Sequence, residues 1–302
     1  MEYKHTVFVY GTLLSGEANH SLLDDSEIVG NGRISGYKMY DIGFYPGIIP
    51  GEGKVLGELY KVTDETLIRL DWLEGEGSLY IRKSMPVHLE SGDACDAFIY
   101  EYNHNIDGLQ EIPVWLQPYT SNWKAKKSNY VWYVSYGSNM LFDRFICYIR
   151  GEQFEEGVRK PDPCKDLSDP VAKKNVDIPY NMYFRNESRS WDYMGVSFLD
   201  IHKPGSSLGV AYLITREQYE HVYRQENGGN EPEDCPNWYN KACSLGFIDG
   251  YEVITITNSE TKMYNAPSEK YINTLKRGLR ENYPDMSEED IDNYLARCME
   301  NR

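Results

Sequence analysis

The stretch VLGELYKVTDETLIRLDWLEGEG at residues 55–77 decides the architecture, because SLGVAYLITREQYEHVYRQENGG at residues 207–229 lies over it without a gap. Seven positions are identical: Leu56/Leu208, Gly57/Gly209, Tyr60/Tyr212, Thr63/Thr215, Glu65/Glu217, Glu74/Glu226 and Gly77/Gly229. Each stretch opens on a short apolar strand, at 55–62 and 208–214, and continues with helical spacing. Thr63 and Thr215 stand at helix N-caps, and Thr215-x-x-Gln218 fits a capping box, in which hydroxyl and amide satisfy otherwise orphaned N–H groups. The helices are expected to end at Glu74 and Glu226 and to stop at glycine, Gly75 in one copy and Gly228-Gly229 in the other.

A second similarity lies upstream: Val7-Phe8-Val9-Tyr10-Gly11-Thr12-Leu13 matches Tyr133-Val134-Ser135-Tyr136-Gly137-Ser138-Asn139. The interval to the long repeat is greater in the second copy, and the extra residues fall in a Pro, Asp and Lys-rich segment at 160–179 that reads as a surface insertion. The chain therefore reads as two copies of one mixed α and β domain, at residues 1–125 and 130–302. Residues 119–129 lack apolar periodicity and read as a linker. Residues 269–301 have long helical spacing and are expected to add two helices to the second copy.

The 302 residues include 31 Lys and Arg against 47 Asp and Glu, a net charge of −16. That balance argues against nucleic acid as a partner, since phosphate backbones are held by a cationic footprint. No apolar run approaches the roughly 18 to 20 residues that span a bilayer, and the N-terminus lacks the basic stretch and apolar core of an export signal. Membrane association is therefore not expected. The six cysteines form no C-x-x-C pair and read as reduced thiols of a cytoplasmic protein, and the six histidines show no metal-ligand spacing. No metal and no cofactor is expected.

Helical phase supplies the candidate chemistry. Leu67, Leu70, Asp71 and Glu74 fall at i, i+3, i+4 and i+7, and Tyr219, Val222, Tyr223 and Glu226 repeat the pattern. Each glutamate thus lies on the inward stripe at the C-terminal end of a helix. Desolvation and the negative end of the macrodipole both favour its neutral form, which makes it a candidate general acid or base. For one such residue, a helix-end glutamate turned to solvent is the commoner case; recurrence in both copies at the same phase favours the catalytic reading. The Tyr10-Gly11-Thr12-Leu13 and Tyr136-Gly137-Ser138-Asn139 turns each end a strand and expose successive backbone N–H groups that can hold an anion such as a carboxylate. Taken alone, each turn reads equally well as a tight strand-to-helix connection.

Together these elements resemble the γ-glutamylcyclotransferase superfamily. The first copy is similar to its γ-glutamylamine cyclotransferase and AIG2-like branch through Tyr10-Gly11-Thr12-Leu13, Asn19-His20, Gly57-Glu58-Leu59-Tyr60, Leu70-Asp71-x-x-Glu74 and Tyr80-Ile81-Arg82. The second is similar to the branch of γ-glutamylcyclotransferase itself through Tyr136-Gly137-Ser138-Asn139-Met140, Gln225-Glu226-Asn227, Ala266-Pro267-Ser268 and Tyr271. The resemblance implies two α+β domains, each a small, mostly antiparallel barrel or curved sheet with packed helices. It implies a lyase without cofactor, acting on a small-molecule γ-glutamyl substrate: the substrate's α-amine attacks its own γ-carbonyl, releasing 5-oxoproline and a free amine. By position, Glu74 and Glu226 would move the protons, while Gly11 to Leu13 and Ser138 to Asn139 would hold the γ-glutamyl group. Tyr10 and Tyr136 fit either a pocket wall or a core with satisfied hydroxyls, and Tyr80 and Tyr239 either touch substrate or pack. Two other readings use the same residues: a γ-glutamyl-binding or regulatory protein in which one or both copies have lost turnover, and an enzyme that removes a γ-glutamyl protecting group from a metabolite or attacks an isopeptide-linked γ-glutamyl lysine.

Overall fold

Strand β1 (His5–Val9) is the staple of the N-terminal half, with Val7 and Phe8 fully buried. The computed structural model describes residues 2–261 and 263–300 and divides the chain into two units, Met1–Lys127 and Ser128–Arg302. In the first, β1 is joined by β2 (Glu27–Asp41), β3 (Pro46–Val62), β4 (Tyr80–Leu89), β5 (Ala94–Tyr102) and the short β6 (Gln110–Ile112). β2 pairs with β3, β3 with β1, β1 with β5, β5 with β4, and β4 returns to β2 through Gly32 opposite Leu89, so five strands close into a barrel with β6 appended to β2. Closure leaves no long unpaired edge. All pairings are antiparallel except β1 with β5, where Val7 lies opposite Phe98. Ile34, Ile48, Leu59 and Ile99 fill the core with no exposed surface.

Between β3 and β4 runs helix α1 (Asp64–Glu74), whose Thr66 N–H donates to the Thr63 hydroxyl at 3.2 Å. It stops where Gly75 adopts φ 58°, a left-handed conformation natural to glycine, and returns its N–H to Asp71 and Trp72. The stretch expected as a linker folds instead into the short helix α2 (Trp123–Ser128), because Trp123 is buried and anchors it.

The second unit contains β7 (Tyr130–Ser135), helix α3 (Phe142–Arg150), β8 (Ala172–Ser188), β9 (Met194–Thr215), helix α4 (Arg216–Glu226), β10 (Lys241–Ile248), β11 (Tyr251–Thr257), and helices α5 (Glu269–Asn282) and α6 (Glu288–Glu300). The sheet order is β10-β11-β7-β9-β8, with β7 parallel to β11 and the other pairs antiparallel. This is the order β4-β5-β1-β3-β2 of the first unit, strand for strand and with the same one parallel pair. The second sheet is open, with β10 and β8 at its edges. The Thr215–Gln218 capping box is complete, and α4 ends at Glu226 with Asn227, one residue before Gly228, as its C-cap. Residue 301, the last of the stretch expected to be helical, lies outside the described residues.

Three local expectations need correcting. β3 and β9 begin well before residues 55 and 208, because Pro, Gly and Lys interrupt their apolar pattern while pairing to β2 and β8 holds them extended. No α-helix follows Leu13; Leu14 N–H to Gly11 O and Asn19 N–H to Thr12 O fold that segment into turns before a single 3-10 turn at His20–Leu23. Residues 172–179 belong to β8, and the loop before it buries Val158 and Cys164 rather than riding on the surface.

Candidate active site

The first unit has a cavity of about 120 Å³ where β1 gives way to the turn at residues 10–13. Tyr10, Gly11, Thr12, Leu13, Glu74 and Tyr80 all line it. Helix α1 brings Glu74 there, in the phase that buries Leu67 and Leu70. Asp71, one turn earlier, is engaged: Arg82 Nη1 lies 2.5 Å from its Oδ2 and the Tyr100 hydroxyl donates to its Oδ1 at 2.8 Å. Glu74 has no hydrogen bond or ion pair among the described residues, and burial pushes its carboxyl up to about 7. The turn's own backbone bonds use the carbonyls of Gly11 and Thr12 and leave the N–H groups of residues 11–13 out, while the Asn19 amide donates to the Thr12 hydroxyl at 2.9 Å and braces the loop.

The second unit has a larger cavity, about 720 Å³, lined by Tyr136, Gly137, Ser138, Asn139, Glu226 and Tyr239 among others. Here the glutamate is engaged: Asn139 Nδ2 donates to Glu226 Oε1 at 2.6 Å. Burial raises the Glu226 pKa, opposed by Arg144, the Tyr148 hydroxyl, the Asn139 amide and Arg159. Asn139 Oδ1 is buried without a hydrogen-bond partner among the described residues. Asn139→Ala removes a donor to the ionised glutamate, so the Glu226 pKa should climb further. The acid limb of the second unit's pH–rate profile, read in a Glu74→Gln background, should move up correspondingly; an unmoved limb would separate Asn139 from the ionisation of Glu226.

All four tyrosines are buried and their hydroxyls are spent on backbone carbonyls: Tyr10 on Tyr100 at 2.5 Å, Tyr80 on Pro46 at 2.8 Å, Tyr136 on Ile256 at 2.8 Å and Tyr239 on Ser197 at 3.0 Å. They line the cavities and belong to the core at once. Their rings, not their hydroxyls, are what they can offer a ligand. Sequence reasoning missed Arg144, Arg159 and Arg189, which also line the second cavity. Arg144 could have been found, since it sits among apolar residues of a helix on the same face as Tyr148.

The first unit is thus a small closed β-barrel with an unpaired acid facing a glycine turn inside a partly enclosed cavity. The profile of the family described as "Gamma-glutamyl cyclotransferase, AIG2-like" matches residues 7–125. A Vibrio cholerae protein named putative gamma-glutamylcyclotransferase is 38% identical over 115 residues, covering 38% of this chain and 97% of that protein. The gamma-glutamylcyclotransferase family protein YtfP of Escherichia coli is 35% identical over 106 residues, 35% of this chain and 89% of its own. The crystal structure of YkqA from Bacillus subtilis covers 98% of both chains at 21% identity, with a TM-score of 0.35. Through residues 7–125, the chain belongs to the γ-glutamyl cyclotransferase, AIG2-like family. No helix among the described residues is long and apolar enough to cross a membrane, and all six cysteines are free thiols.

Proposed function

We propose that the chain is a γ-glutamyl cyclotransferase with one active site in each unit. The carrying observation is the recurrence, in two separate cavities, of a glutamate with a raised pKa beside a Tyr-Gly turn. Family membership of residues 7–125 supports the activity, and the shared strand order and the seven identities support reading residues 130–302 as a diverged second copy.

The chemistry follows from these groups. A free α-amine has a pKa of about 8 and is mostly protonated at neutral pH, so it cannot attack. A carboxylate whose pKa lies near 7 is well matched to take that proton. The amine nitrogen then bonds to the γ-carbonyl carbon, the amide C–N bond breaks, and the proton passes from the glutamate to the departing amine. The products are 5-oxoproline and the free amine, and the atoms balance without water. The turn N–H groups receive the substrate's α-carboxylate, which folds the molecule back on itself and makes the attack intramolecular. In the second unit the unpartnered Asn139 Oδ1, next to Glu226, is placed to accept from the α-ammonium.

The test is product identity in ¹⁸O-enriched water, using γ-glutamyl amines and γ-glutamyl amino acids. Cyclisation yields 5-oxoproline carrying no label, in one-to-one ratio with released amine. Labelled glutamate in its place would mean hydrolysis and would sink the assignment.

A further inference from the structure

The two cavities differ in charge as much as in size. Among the described residues, the first has Glu74 and no basic residue on its wall, whereas the second has Glu226 as its one acid and three arginines, Arg144, Arg159 and Arg189. On a chain of net charge −16 this is a local reversal of sign.

Different elements supply the three side chains. Arg144, on α3, is 5% exposed; its Nη2 donates to the Tyr148 hydroxyl at 2.9 Å and the guanidinium sits 4.5 Å over the Tyr148 ring. Its Nε and Nη1 have no hydrogen-bond partner among the described residues. Buried, unpaired guanidinium donors are costly unless an anion meets them. Arg159, on the loop between α3 and β8, is held in place: it donates to the Gln225 carbonyl at 3.1 Å and to Gln225 Oε1 at 3.3 Å. Its backbone N–H donates to Ser190 Oγ at 3.0 Å, tying that loop to the 3-10 turn Arg189–Trp191. Arg189 is exposed, and its guanidinium has no hydrogen bond or ion pair among the described residues. Two cations therefore stand on adjoining segments of one wall, with a third buried on another part of the lining, where its charge already favours the ionised form of Glu226.

We propose that the second cavity selects γ-glutamyl peptides whose amine-side residue is itself acidic, with Arg159 and Arg189 receiving its carboxylates, and that the first cavity makes no such selection. This rests on the cyclotransferase reading above and names the substrate class of its second site. The bond changes are unaltered: the amide C–N bond breaks, and the departing amino acid leaves with the proton delivered by Glu226. Arg159 lies on a loop and Arg189 on a 3-10 turn, both off the strands of the sheet, where a specificity device can vary without disturbing the core.

Binding and turnover are measured separately. Calorimetry on the full chain carrying Glu74→Gln and Glu226→Gln compares γ-glutamyl-glutamate, γ-glutamyl-glycine and γ-glutamyl-methylamide. Affinity at one of the two sites should rise with each added carboxylate by about tenfold, and the ladder should compress as salt is raised. Arg189→Gln in that background should cut the preference for γ-glutamyl-glutamate over the methylamide by about tenfold, and Arg189→Lys should restore part of it. Equal affinities for the three probes, no binding of any, or a preference that survives Arg159→Gln combined with Arg189→Gln overturns the proposal. Charge-selective binding by a wild type that releases no 5-oxoproline overturns the cyclotransferase reading instead and leaves the selection standing. Release of 5-oxoproline from all three substrates without charge preference by the Glu74→Gln variant, in which only the second site can turn over, does the reverse.

Discussion

Glu74→Gln should abolish most of the first unit's turnover while making that unit harder to unfold at alkaline pH. The loss in kcat/KM is expected at about 10²- to 10⁴-fold, the range attributed to a positioned general acid or base. The gain follows from the same burial. Folding raises the Glu74 pKa from 4.5 to about 7, so the folded state favours the neutral form. That contribution is fully present below pH 4.5 and is lost as pH rises through 7, where the chain must hold a buried, unpaired carboxylate. The full difference is about 3 kcal/mol, from roughly 1.4 kcal/mol per pKa unit. Glutamine is neutral at every pH, so denaturant unfolding of the first unit at pH 8 should show the variant more stable by up to about that amount, and at pH 4 the two should coincide. Equal stability at both pH values would mean that Glu74 is not held up by burial. The wild-type rate, in turn, should fall as pH drops through 7, since only the ionised glutamate can take the amine's proton.

Gly57→Ala should unfold the first unit, or cost it about 3 kcal/mol or more, whereas Gly209→Ala, the equivalent change in the second, should be far milder. At Gly57 an added Cβ would overlap the Val9 carbonyl oxygen and come within 2.7 Å of Phe8 Cζ. Phe8 has no exposed surface and nowhere to go. Gly57 lies opposite Gly32 on β2, beside the point where β1 leaves β3 to form the turn at residues 10–13. The clash would thus strike the closure of the barrel and the cavity wall together. At Gly209 the added carbon would meet Ile178 Cδ1 and Val134 Cγ1, each at 2.9 Å, and the Ser135 carbonyl oxygen at 3.2 Å; the two closest are side-chain ends, and the one backbone contact is about 1.1 Å longer than that at Gly57. Thermal melts of both variants check the contrast; comparable losses would contradict it.

What could be read from sequence was what is encoded locally. The Thr63 and Thr215 caps, the phase of Glu74 and Glu226 and the stop at Gly75 each depend on residues within one or two helical turns, and the structure has them there. The early parts of β3 and β9 were hidden because residues such as Pro50, Gly51 and Gly53, or Lys203, Pro204 and Gly205, suit loops by local preference. Long-range pairing overrides that preference, as when Lys54 lies opposite Ser35 on β2. The strand-to-helix alternative at the Tyr10–Leu13 turn fails for a related reason: Gly16 at φ 83° and the Asn19 to Thr12 bond commit the following residues to turns. The arginines of the second cavity were invisible because Arg159 sits on a loop and Arg189 on a 3-10 turn, neither with periodicity, and only folding brings their segments together.

Every residue on the wall of the first cavity lies at or before position 100, and every residue on the wall of the second at or after position 133. Translation therefore delivers the two pockets in a fixed ratio of one to one, and no change in expression can alter it. A mutation in either wall is inherited with its neighbour intact, so natural selection can alter one pocket while the other is conserved.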